Sequence, residues 1–482
     1  MKIKKIIAAK EDKNIFFILL FFLFLGIFLR YYQLNFENYW WDEMLGFWTA
    51  DPYVSFDETI SRHRNHDQTS IIFHLIAKNY YNIFGYNPEL GRYISFFFGA
   101  LSIPALGFLS KQIKNNYSYL LSLLLISINI YLINYSQETR VYSFIFLMCT
   151  INLIFYYKIL NLSKFTLSNK NVFIFYILSS VLSLWLNPFV LIIIFSQTLY
   201  CIYVFIFYRI KNNLFFLSLP LILIIYFISS YDFIFTELAN KESHFVGNIE
   251  WKFIYDLFFS RFFGSGIMGA IYLTTFIFLL IYFKKKIFDI NNNFLPLIFI
   301  IFFSYFIPIM YEFVAIPILS DRYIIFVLIP IILLISILLY QIENKYLKNS
   351  LVLILLISTS INLFFEIKFR EETKPEFNHA IEYISESKTK NLAIFVDNQK
   401  VDRETLFIIN NYMFSLGASK KNNIRFFDFY NIPSKINNIW IVCFEPITGI
   451  YCKDYKRKNK KWDLVEEKKY HLLSVNLVRR KN

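Results

Sequence analysis

The chain has 482 residues, of which 56% are hydrophobic, 21% are aromatic and only 17% are charged, and its formal net charge is +14. A soluble globular protein carries about 25% charged residues, so this composition excludes that class. The excess of Lys and Arg does not indicate nucleic acid as a partner, because the basic residues lie in short loops between apolar segments, where a membrane protein places them.

Apolar segments of about 20 residues recur along the chain, which is the pattern of transmembrane helices. Only Asn187 and Pro188 separate the fifth segment from the sixth, so residues 172–208 form either two spans or one kinked helix. The first segment is not a cleaved signal peptide, because no small-residue cleavage site follows it. We predict eleven spans, at residues 15–30, 92–110, 117–134, 141–157, 172–186, 189–208, 213–230, 266–283, 294–311, 322–340 and 350–366.

The distribution of Lys between the loops predicts the orientation of these spans. If the N-terminus is cytoplasmic, every short Lys cluster, such as Lys284 to Lys286, falls on the cytoplasmic side. This asymmetry is what the positive-inside rule requires. The other side receives the loops 31–91, 134–140, 231–265 and 312–322, and an odd number of spans adds the tail to it.

The tail, residues 367–482, differs in composition from the rest of the chain. We predict one helix within residues 375–387, and a second from an N-cap at Asp402 to a stop at Gly417. Short runs at 391–397 and 437–445 are typical of strands. The first helix has one apolar face, formed by Phe377, Ala380, Ile381 and Ile384.

The chain therefore divides into a transmembrane bundle, residues 1–366, and a small α/β domain, residues 367–482. The domain is large enough for a core of its own. Cys443 and Cys452 lie in it, and they either pair, if the tail is extracytoplasmic, or remain free thiols.

Ionisable residues collect in the loops predicted to lie outside. Such groups at membrane depth cost several kcal/mol unless they are paired or hydrated, so they are functional candidates. They are Asp42 and Glu43 in "YWWDEMLGFW", Arg62, His63, Arg64, His66 and Asp67 in "SRHRNHDQT", Glu138 and Arg140 in "NYSQETRVYS", and Asp321 and Arg322 in "LSDRYIIF".

Each group also has a structural interpretation. Asp42 and Glu43 could be acids that favour a helix start through the helix dipole. The charges of residues 62–67 could form a solvated loop rather than a metal site, and Arg140 could mark the membrane interface. Tyr39, Trp40 and Trp41 could form an interfacial aromatic belt or a platform for a sugar.

The order of these motifs resembles the bacterial branch of the GT-C glycosyltransferases, which is similar to dolichyl-phosphate-mannose protein mannosyltransferases and lipid A aminoarabinose transferases. The resemblance covers nearly the whole chain, with one departure: Thr69 to Ile72 stand where many members carry His-Pro-Pro-Leu. The stretches that carry it are, in order, "WWDE", "IFGYNPELGRYISFFFGALSIPALGFLSK", "YSQETRVYSFIFL", "IPILSDRYIIFVLIPIILL" and "KPEFNHAIEYISE".

The resemblance implies a polytopic α-helical membrane protein of the GT-C type, with amphipathic helices in loop 31–91 and the C-terminal α/β domain extracytoplasmic. It implies residence in the bacterial inner membrane, with the N-terminus in the cytoplasm. The implied activity is transfer of a sugar, a hexose or a pentose, from a polyprenyl-phosphate donor to a lipid, glycan or protein acceptor of the cell envelope.

Carried over by position, the resemblance makes Asp42 the catalytic acid and Glu43 its companion. Glu138 and Arg140 match the acid and the arginine of the second outer loop, and Arg322 with Tyr323 matches an arginine–tyrosine pair at a late span.

The chemistry of the reaction fits these residue types. A carboxylate can take the proton of the attacking hydroxyl, and the guanidinium fork can hold the leaving phosphate. We predict that Asp42 acts on the acceptor and that Glu43 orients it or holds a nearby cation. We assign Arg140 and Arg322, with their neighbours Glu138 and Tyr323, to the binding of the lipid phosphate.

Further contacts are predicted for Arg62, His66 and Asp67 in the first outer loop. The sequence indicates no cofactor beyond a divalent cation, which Asp42 and Glu138 could hold. Two alternative functions fit these residues less well. A transporter or flippase of lipid-linked saccharide is disfavoured, because the ionisable residues crowd one face instead of the bilayer centre. A scaffold without activity would not need acids at several separate loops.

Overall fold

A computed structural model describes residues 2–66, 70–162, 169–208, 218–230, 259–289, 294–314, 318–395, 403–419, 423–444 and 461–481. Within these residues the chain is mostly helical, with one five-stranded sheet near the C-terminus. Its longer helices, in chain order, are α1 (Lys2–Tyr31), α2 (Trp41–Thr49), α3 (Phe56–His66), α4 (Ile71–Phe84), α5 (Pro88–Ile113), α6 (Ser118–Ile128), α7 (Ile130–Ser136), α8 (Tyr142–Leu160), α9 (Lys170–Leu186), α10 (Leu191–Tyr208), α11 (Ser218–Ser230), α12 (Gly266–Tyr282), α13 (Leu295–Glu312), α14 (Leu328–Tyr340), α15 (Lys345–Lys368), α16 (Phe377–Glu386) and α17 (Arg403–Ser419).

Packing divides the chain into two compact units. The first, here called the helical unit, comprises Met1–Tyr32, Ser95–Gln137 and Val141–Phe369. The second, here called the mixed unit, comprises Gln33–Ile94, Glu138–Arg140 and Arg370–Asn482. The first outer loop therefore packs with the tail in one unit, rather than with the bundle to which the sequence analysis assigned it.

Six helices of the described chain are long and apolar enough to cross a membrane, or seven crossings if the bent pair α6–α7 counts as one. The remaining four predicted spans coincide with shorter apolar helices: α9, α11, α12 and the segment Ile325–Tyr340 that contains α14. A described helix thus overlaps each predicted span. Length and composition support six or seven crossings, and the number eleven stays a prediction.

The third predicted span is not one straight helix. Helices α6 and α7 meet at an angle of 58°, because the Asn129 side chain accepts the N–H of Leu132 over 2.9 Å and caps a new helix. The last carbonyls of a helix lack intrahelical partners, and the buried guanidinium of Arg30 donates to those of Ile126 and Ser127 over 3.0 and 3.3 Å. A polar contact inside the helical unit therefore stabilises the bend.

The fifth and sixth predicted spans are two helices. Helix α9 ends at Leu186, and the Asn187 side chain accepts the N–H of Phe189 over 2.9 Å. A 3-10 turn at Pro188–Val190 then leads into α10. Proline fixes φ and has no N–H to donate, so it begins a helical turn and cannot continue the preceding helix.

The sheet of the mixed unit has the strand order β2-β1-β3-β5-β4. Strand β1 is parallel to β2 and β3, whereas β5 is antiparallel to β3 and β4. Central strand β3 is buried along nearly its whole length, as expected for a strand covered on both faces. The strands are β1 (Asn391–Ile394), β2 (Arg425–Asp428), β3 (Asn438–Phe444), β4 (Trp462–Tyr470) and β5 (Leu473–Arg480).

The secondary structure of the tail follows the prediction closely. All four apolar residues of the predicted face of α16 are buried, and β1 and β3 lie within the predicted strand segments. The predicted stop at Gly417 is wrong: α17 continues to Ser419, because helix geometry tolerates glycine at a modest cost. Asp402, the predicted N-cap, lies outside the described residues.

Cys443 on β3 is disulfide-bonded, so it is not a free thiol. Cys149 and Cys201, in the helical unit, are free and buried. Cys452 lies outside the described residues.

Candidate active site

The "WWDE" motif forms the start of α2 in the mixed unit. Trp40 is the N-cap, with an extended backbone, and Asp42 and Glu43 lie in the first turn. The Glu43 carboxylate accepts the backbone N–H of Trp40 over 3.1 Å, which is the bond that the acid of a capping box makes. The interpretation of these acids as helix-start residues therefore holds for Glu43, in addition to any role in chemistry.

Glu43 is almost completely buried, with 1% of its surface exposed. Its Oε1 accepts the N–H of Thr139 over 2.8 Å and lies 3.6 Å from Nε of Arg92. Its Oε2 accepts from Nζ of Lys374 over 2.7 Å. Burial alone would raise the pKa of Glu43, but the charges of Lys374 and Arg92 and the hydrogen bonds from Lys374 and Thr139 lower it to about 2.

Lys374 is the residue of this site that sequence reasoning missed. Its side chain, from the tail, also lies 3.1 Å from Oε1 of Glu138, so it bridges two carboxylates. Burial lowers the pKa of Lys374, but Glu138 and Glu43 raise it by more, so it stays protonated. A signal existed: Lys374 is the first residue of "KPEFNHAIEYISE", one of the stretches that carry the family resemblance.

Arg92, near the start of α5, was missed as well. Its guanidinium donates to the backbone oxygens of Leu34, Glu37 and Asn38 over 3.2, 2.5 and 2.9 Å. It also lies 5.2 Å from the centre of the Tyr39 ring. Arg92 therefore fixes the chain that leads into α2, while it adds positive charge beside Glu43.

Asp42 differs from its neighbour in exposure. Successive residues of a helix point about 100° apart, and while Glu43 points inward, 33% of the Asp42 side chain is exposed. Arg140 donates from one terminal nitrogen to the backbone oxygen of Asp42 over 2.8 Å, and its other terminal nitrogen lies 3.9 Å from Oδ2 of Asp42. Asp42 is thus the accessible carboxylate of the pair, and Arg140 holds it.

The aromatic residues before α2 are not equivalent. Tyr39 is buried, and its hydroxyl accepts from Thr139 over 2.6 Å and donates to the oxygen of Pro88 over 2.5 Å. Its backbone N–H donates to the hydroxyl of Tyr412 over 2.9 Å, and the two rings stack. Tyr39 therefore joins the loop to α17 of the tail and forms neither a membrane belt nor a platform, whereas Trp40 is 37% exposed.

The predicted loop contacts have partners within the mixed unit. Arg62, on α3, donates to the oxygen of Trp48 over 2.8 Å, lies 4.3 Å from the centre of the Trp48 ring and pairs with Glu58. His66 lies 2.6 Å from the carboxylate of Glu404. Asp67 lies outside the described residues.

Arg322 and Tyr323 belong to the helical unit. The Tyr323 ring stacks on Phe189, and its backbone oxygen accepts from the Asn187 side chain over 2.8 Å. The Arg322 guanidinium lies 5.6 Å from the centre of the Tyr323 ring. The Asn-Pro junction between α9 and α10 thus also positions this pair. The preceding residue, Asp321, forms an ion pair with Arg261 over 3.0 Å.

One group of residues in the described chain has ligand atoms spaced for a metal ion: Glu372, Glu376 and His379, at the start of α16. Burial and a hydrogen bond to Glu376 raise the pKa of Glu372 to about 7. Asp42 and Glu138, the predicted metal ligands, do not belong to this group. Glu138 is instead paired with Lys374, and Asp42 lies beside Arg140.

Comparison with known proteins places the fold. No model of a known protein family matches the sequence, and no curated protein matches it. Solved structures do match, over nearly the whole chain, and this chain shares their fold. Within the described residues, six helices are also long and apolar enough to cross a membrane.

The particular structures include ArnT from Cupriavidus metallidurans bound to undecaprenyl phosphate, with a TM-score of 0.60 and 9% identity over 95% of this chain and 97% of ArnT. The same protein in the apo state gives a TM-score of 0.60 and 9% identity over 98% of both chains. The archaeal oligosaccharyltransferase AglB from Archaeoglobus fulgidus, in complex with an inhibitory peptide and a dolichol-phosphate, gives 0.46 and 10% over 88% of this chain and 69% of AglB. At such identities the likeness concerns the fold.

Proposed function

We propose that the protein is a membrane glycosyltransferase that moves a sugar, a hexose or a pentose, from a polyprenyl-phosphate donor to a lipid, glycan or protein acceptor. The observation that carries the proposal is the pairing at the start of α2: an accessible carboxylate, Asp42, held by Arg140 beside a buried carboxylate, Glu43. The GT-C fold supports it, since ArnT of the same fold binds undecaprenyl phosphate.

In the reaction, the oxygen of the acceptor hydroxyl forms a bond to the anomeric carbon of the donor sugar. The bond from that carbon to the phosphate oxygen breaks, and polyprenyl phosphate leaves with the electron pair. We assign the hydroxyl proton to the carboxylate of Asp42, which is accessible to an acceptor. Such a general base contributes about 10²–10⁴-fold to the rate.

We assign Glu43 a positioning role. Among the described residues, its carboxylate accepts hydrogen bonds from Trp40, Thr139 and Lys374 and lies 3.6 Å from Nε of Arg92. These contacts fix the first turn of α2 and hence the direction of Asp42. Lys374 supplies a cation beside Glu43 in this arrangement, at 2.7 Å from its carboxylate.

We assign Arg322 and Tyr323 to the lipid phosphate, which gains negative charge as the bond breaks and is best stabilised by a preorganised guanidinium. Arg140 donates to the backbone oxygen of Asp42, so we assign it a role in holding Asp42 in addition to the predicted contact with the phosphate. Arg62, His66 and Asp67 remain proposed substrate contacts of the first outer loop. Because Arg62 pairs with Glu58 and His66 with Glu404, we place these contacts at the edge of the site.

We also propose that the mixed unit faces the extracytoplasmic side of the bacterial inner membrane and the N-terminus faces the cytoplasm. The Lys asymmetry of the loops supports this orientation. The disulfide-bonded state of Cys443 supports it too, because disulfides persist in oxidising compartments.

The test is sugar transfer by the purified protein in liposomes, with polyprenyl-phosphate sugars as donors. Asp42→Asn keeps the shape of the side chain and removes the base, so we expect a rate about 10²–10⁴-fold lower, equivalent to about 3–5 kcal/mol of barrier. Donor binding should survive. Asp57→Asn is the matched control, because Asp57 is an exposed acid in the first turn of α3.

An unchanged transfer rate in Asp42→Asn would contradict the proposed general base. Asp42 and Glu43 would then serve only to stabilise the start of α2. Movement of the lipid-linked sugar across the bilayer, without transfer to any acceptor, would favour the transporter alternative.

A further inference from the structure

The carboxylates around Asp42 already have positive partners from the protein itself. Glu43 is paired with Lys374 at 2.7 Å and lies 3.6 Å from Arg92. Glu138 is paired with Lys374 at 3.1 Å, and Asp42 lies 3.9 Å from Arg140. Counted over the described residues alone, Asp42, Glu43 and Glu138 are balanced in formal charge by Arg140, Arg92 and Lys374.

A divalent cation does not fit among these groups. A carboxylate has about four acceptor positions; Glu43 accepts three hydrogen bonds, from Trp40, Thr139 and Lys374, and Nε of Arg92 lies 3.6 Å from Oε1. Metal ions bind carboxylate oxygens at roughly 2.0–2.6 Å, so an ion shared by Glu43 and Glu138 would have to displace the ammonium group between them. An ion added to a neutral cluster would also meet Lys374 and both arginines as like charges.

Lys374 is held in place by its neighbours in the tail. Thr373 donates from its backbone N–H and its hydroxyl to Oε1 of Glu37 over 3.0 and 2.6 Å. Arg370 lies 3.9 Å from the other oxygen of Glu37. Lys374 itself is only 8% exposed, and a buried ammonium group is costly unless it is paired. The ion pairs of Lys374 with Glu43 and Glu138 are therefore buried and held by neighbouring contacts, unlike a surface ion pair.

We propose that Lys374 supplies the cation that Glu43 and Glu138 require, so that sugar transfer at Asp42 does not depend on a divalent metal. This inference rests on the function proposed above. Lys374 is a positioning residue: it acts on Asp42 through Glu43. It also makes the tail a required part of the active site.

The experiment compares transfer by the full-length protein in liposomes with a metal chelator and with added Mg²⁺ or Mn²⁺. The unmodified protein should transfer at the same rate, within twofold, in both conditions. Lys374→Met, which keeps length and removes charge, should lower kcat at least tenfold while the donor KM changes less than threefold. Lys374→Arg should restore metal-independent transfer, and Lys388→Met, at an exposed lysine of the same tail, should behave as the unmodified protein.

Transfer by the unmodified protein that stops in chelator and returns with Mg²⁺ or Mn²⁺ would overturn the inference, and so would an unmodified rate in Lys374→Met. Absence of transfer in both metal conditions would instead refute the proposed function.

In that case the melting temperature still tests the inference. It is measured in a Glu372→Gln background, which removes a ligand from the group at α16. Mg²⁺ or Mn²⁺ should then raise the melting temperature of Lys374→Met and not that of the protein with Lys374. An equal rise in both would overturn the inference.

Discussion

The backbone N–H of Thr139 donates to Oε1 of Glu43 over 2.8 Å, although 96 positions separate the two residues in sequence. Lys374, from the tail, reaches the other oxygen of the same carboxylate. Three distant segments of the mixed unit therefore meet at one buried group. The position of Asp42 depends on the contacts of the Glu43 carboxylate. Substitutions of Glu43 should therefore lower the stability of the protein first, and its activity as a consequence.

Glu43→Gln is expected to lower the free energy of unfolding by about 3–5 kcal/mol, because removal of one partner leaves Lys374 and Arg92 under-compensated in a buried site. Thermal melting in detergent measures the change. Glu89→Gln, at an exposed acid near the start of α5, serves as the control and should change it by less than about 1 kcal/mol. Similar melting temperatures for the two variants would contradict the structural role of Glu43.

The same group predicts a dependence of stability on pH. The pKa of Glu43 is lowered from 4.5 to about 2 in the folded protein, so its contribution is fully present above pH 4.5 and is lost as the pH falls towards 2. The difference in melting temperature between the unmodified protein and Glu43→Gln should be constant from pH 6 to 8. It should shrink below about pH 4.5, given the ordinary pKa of Glu. A difference that grows on acidification would contradict the assignment.

The two arginines should respond differently to replacement by Lys, which keeps the charge and loses the planar fork. Arg322→Lys is expected to weaken donor binding about tenfold or more, equivalent to about 1.4 kcal/mol, as read from the donor KM. Arg140→Lys is expected to lower kcat, because Arg140 holds Asp42. Arg425→Lys, at an exposed position on β2, should change neither constant. Normal kinetics in both variants would make these residues interface anchors only.

Gly91 tests the packing behind the active site. A Cβ at Gly91 would meet the hydroxyls of Tyr81 and Tyr39 and would lie 2.9 Å from Cγ2 of Thr139. Gly91→Ala should therefore destabilise the protein by about 1–3 kcal/mol through overpacking. Gly417→Ala, on α17, is the matched control: its Cβ would have no neighbour within 3.7 Å, and alanine there should stabilise the helix by about 0.5–1 kcal/mol. Melting temperatures that change in the same direction would refute this account.

The proposed orientation has a direct test. A reporter that is active only outside the cytoplasm, fused after Arg370, should be active, because the tail lies on the side opposite the Lys-rich loops. The same reporter fused after Lys114, in a loop predicted to be cytoplasmic, should be silent. The reverse pattern would invert the topology and place Asp42 on the cytoplasmic side.

The sequence by itself predicted a membrane protein and its helical segments, because these depend on apolar runs of fixed length and on periodicity, both of which are local. The resemblance to the GT-C glycosyltransferases depended instead on the order of the motifs. The sequence also singled out Asp42, Glu43, Glu138 and Arg140, which the structure brings together in one unit. The buried face of α16 followed from periodicity in the same way.

Only the tertiary structure decided which acid is buried and which is accessible, because Asp42 and Glu43 are adjacent and chemically alike. It alone identified Lys374, Arg92 and Thr139 as the partners of Glu43, since contacts across such distances leave no local pattern. It also decided that α6 and α7 bend at Asn129, because the Arg30 guanidinium that satisfies the freed carbonyls comes from another helix. The physical reason is common to all three cases: pairing of buried polar groups is settled by packing, and packing joins segments that the sequence keeps apart.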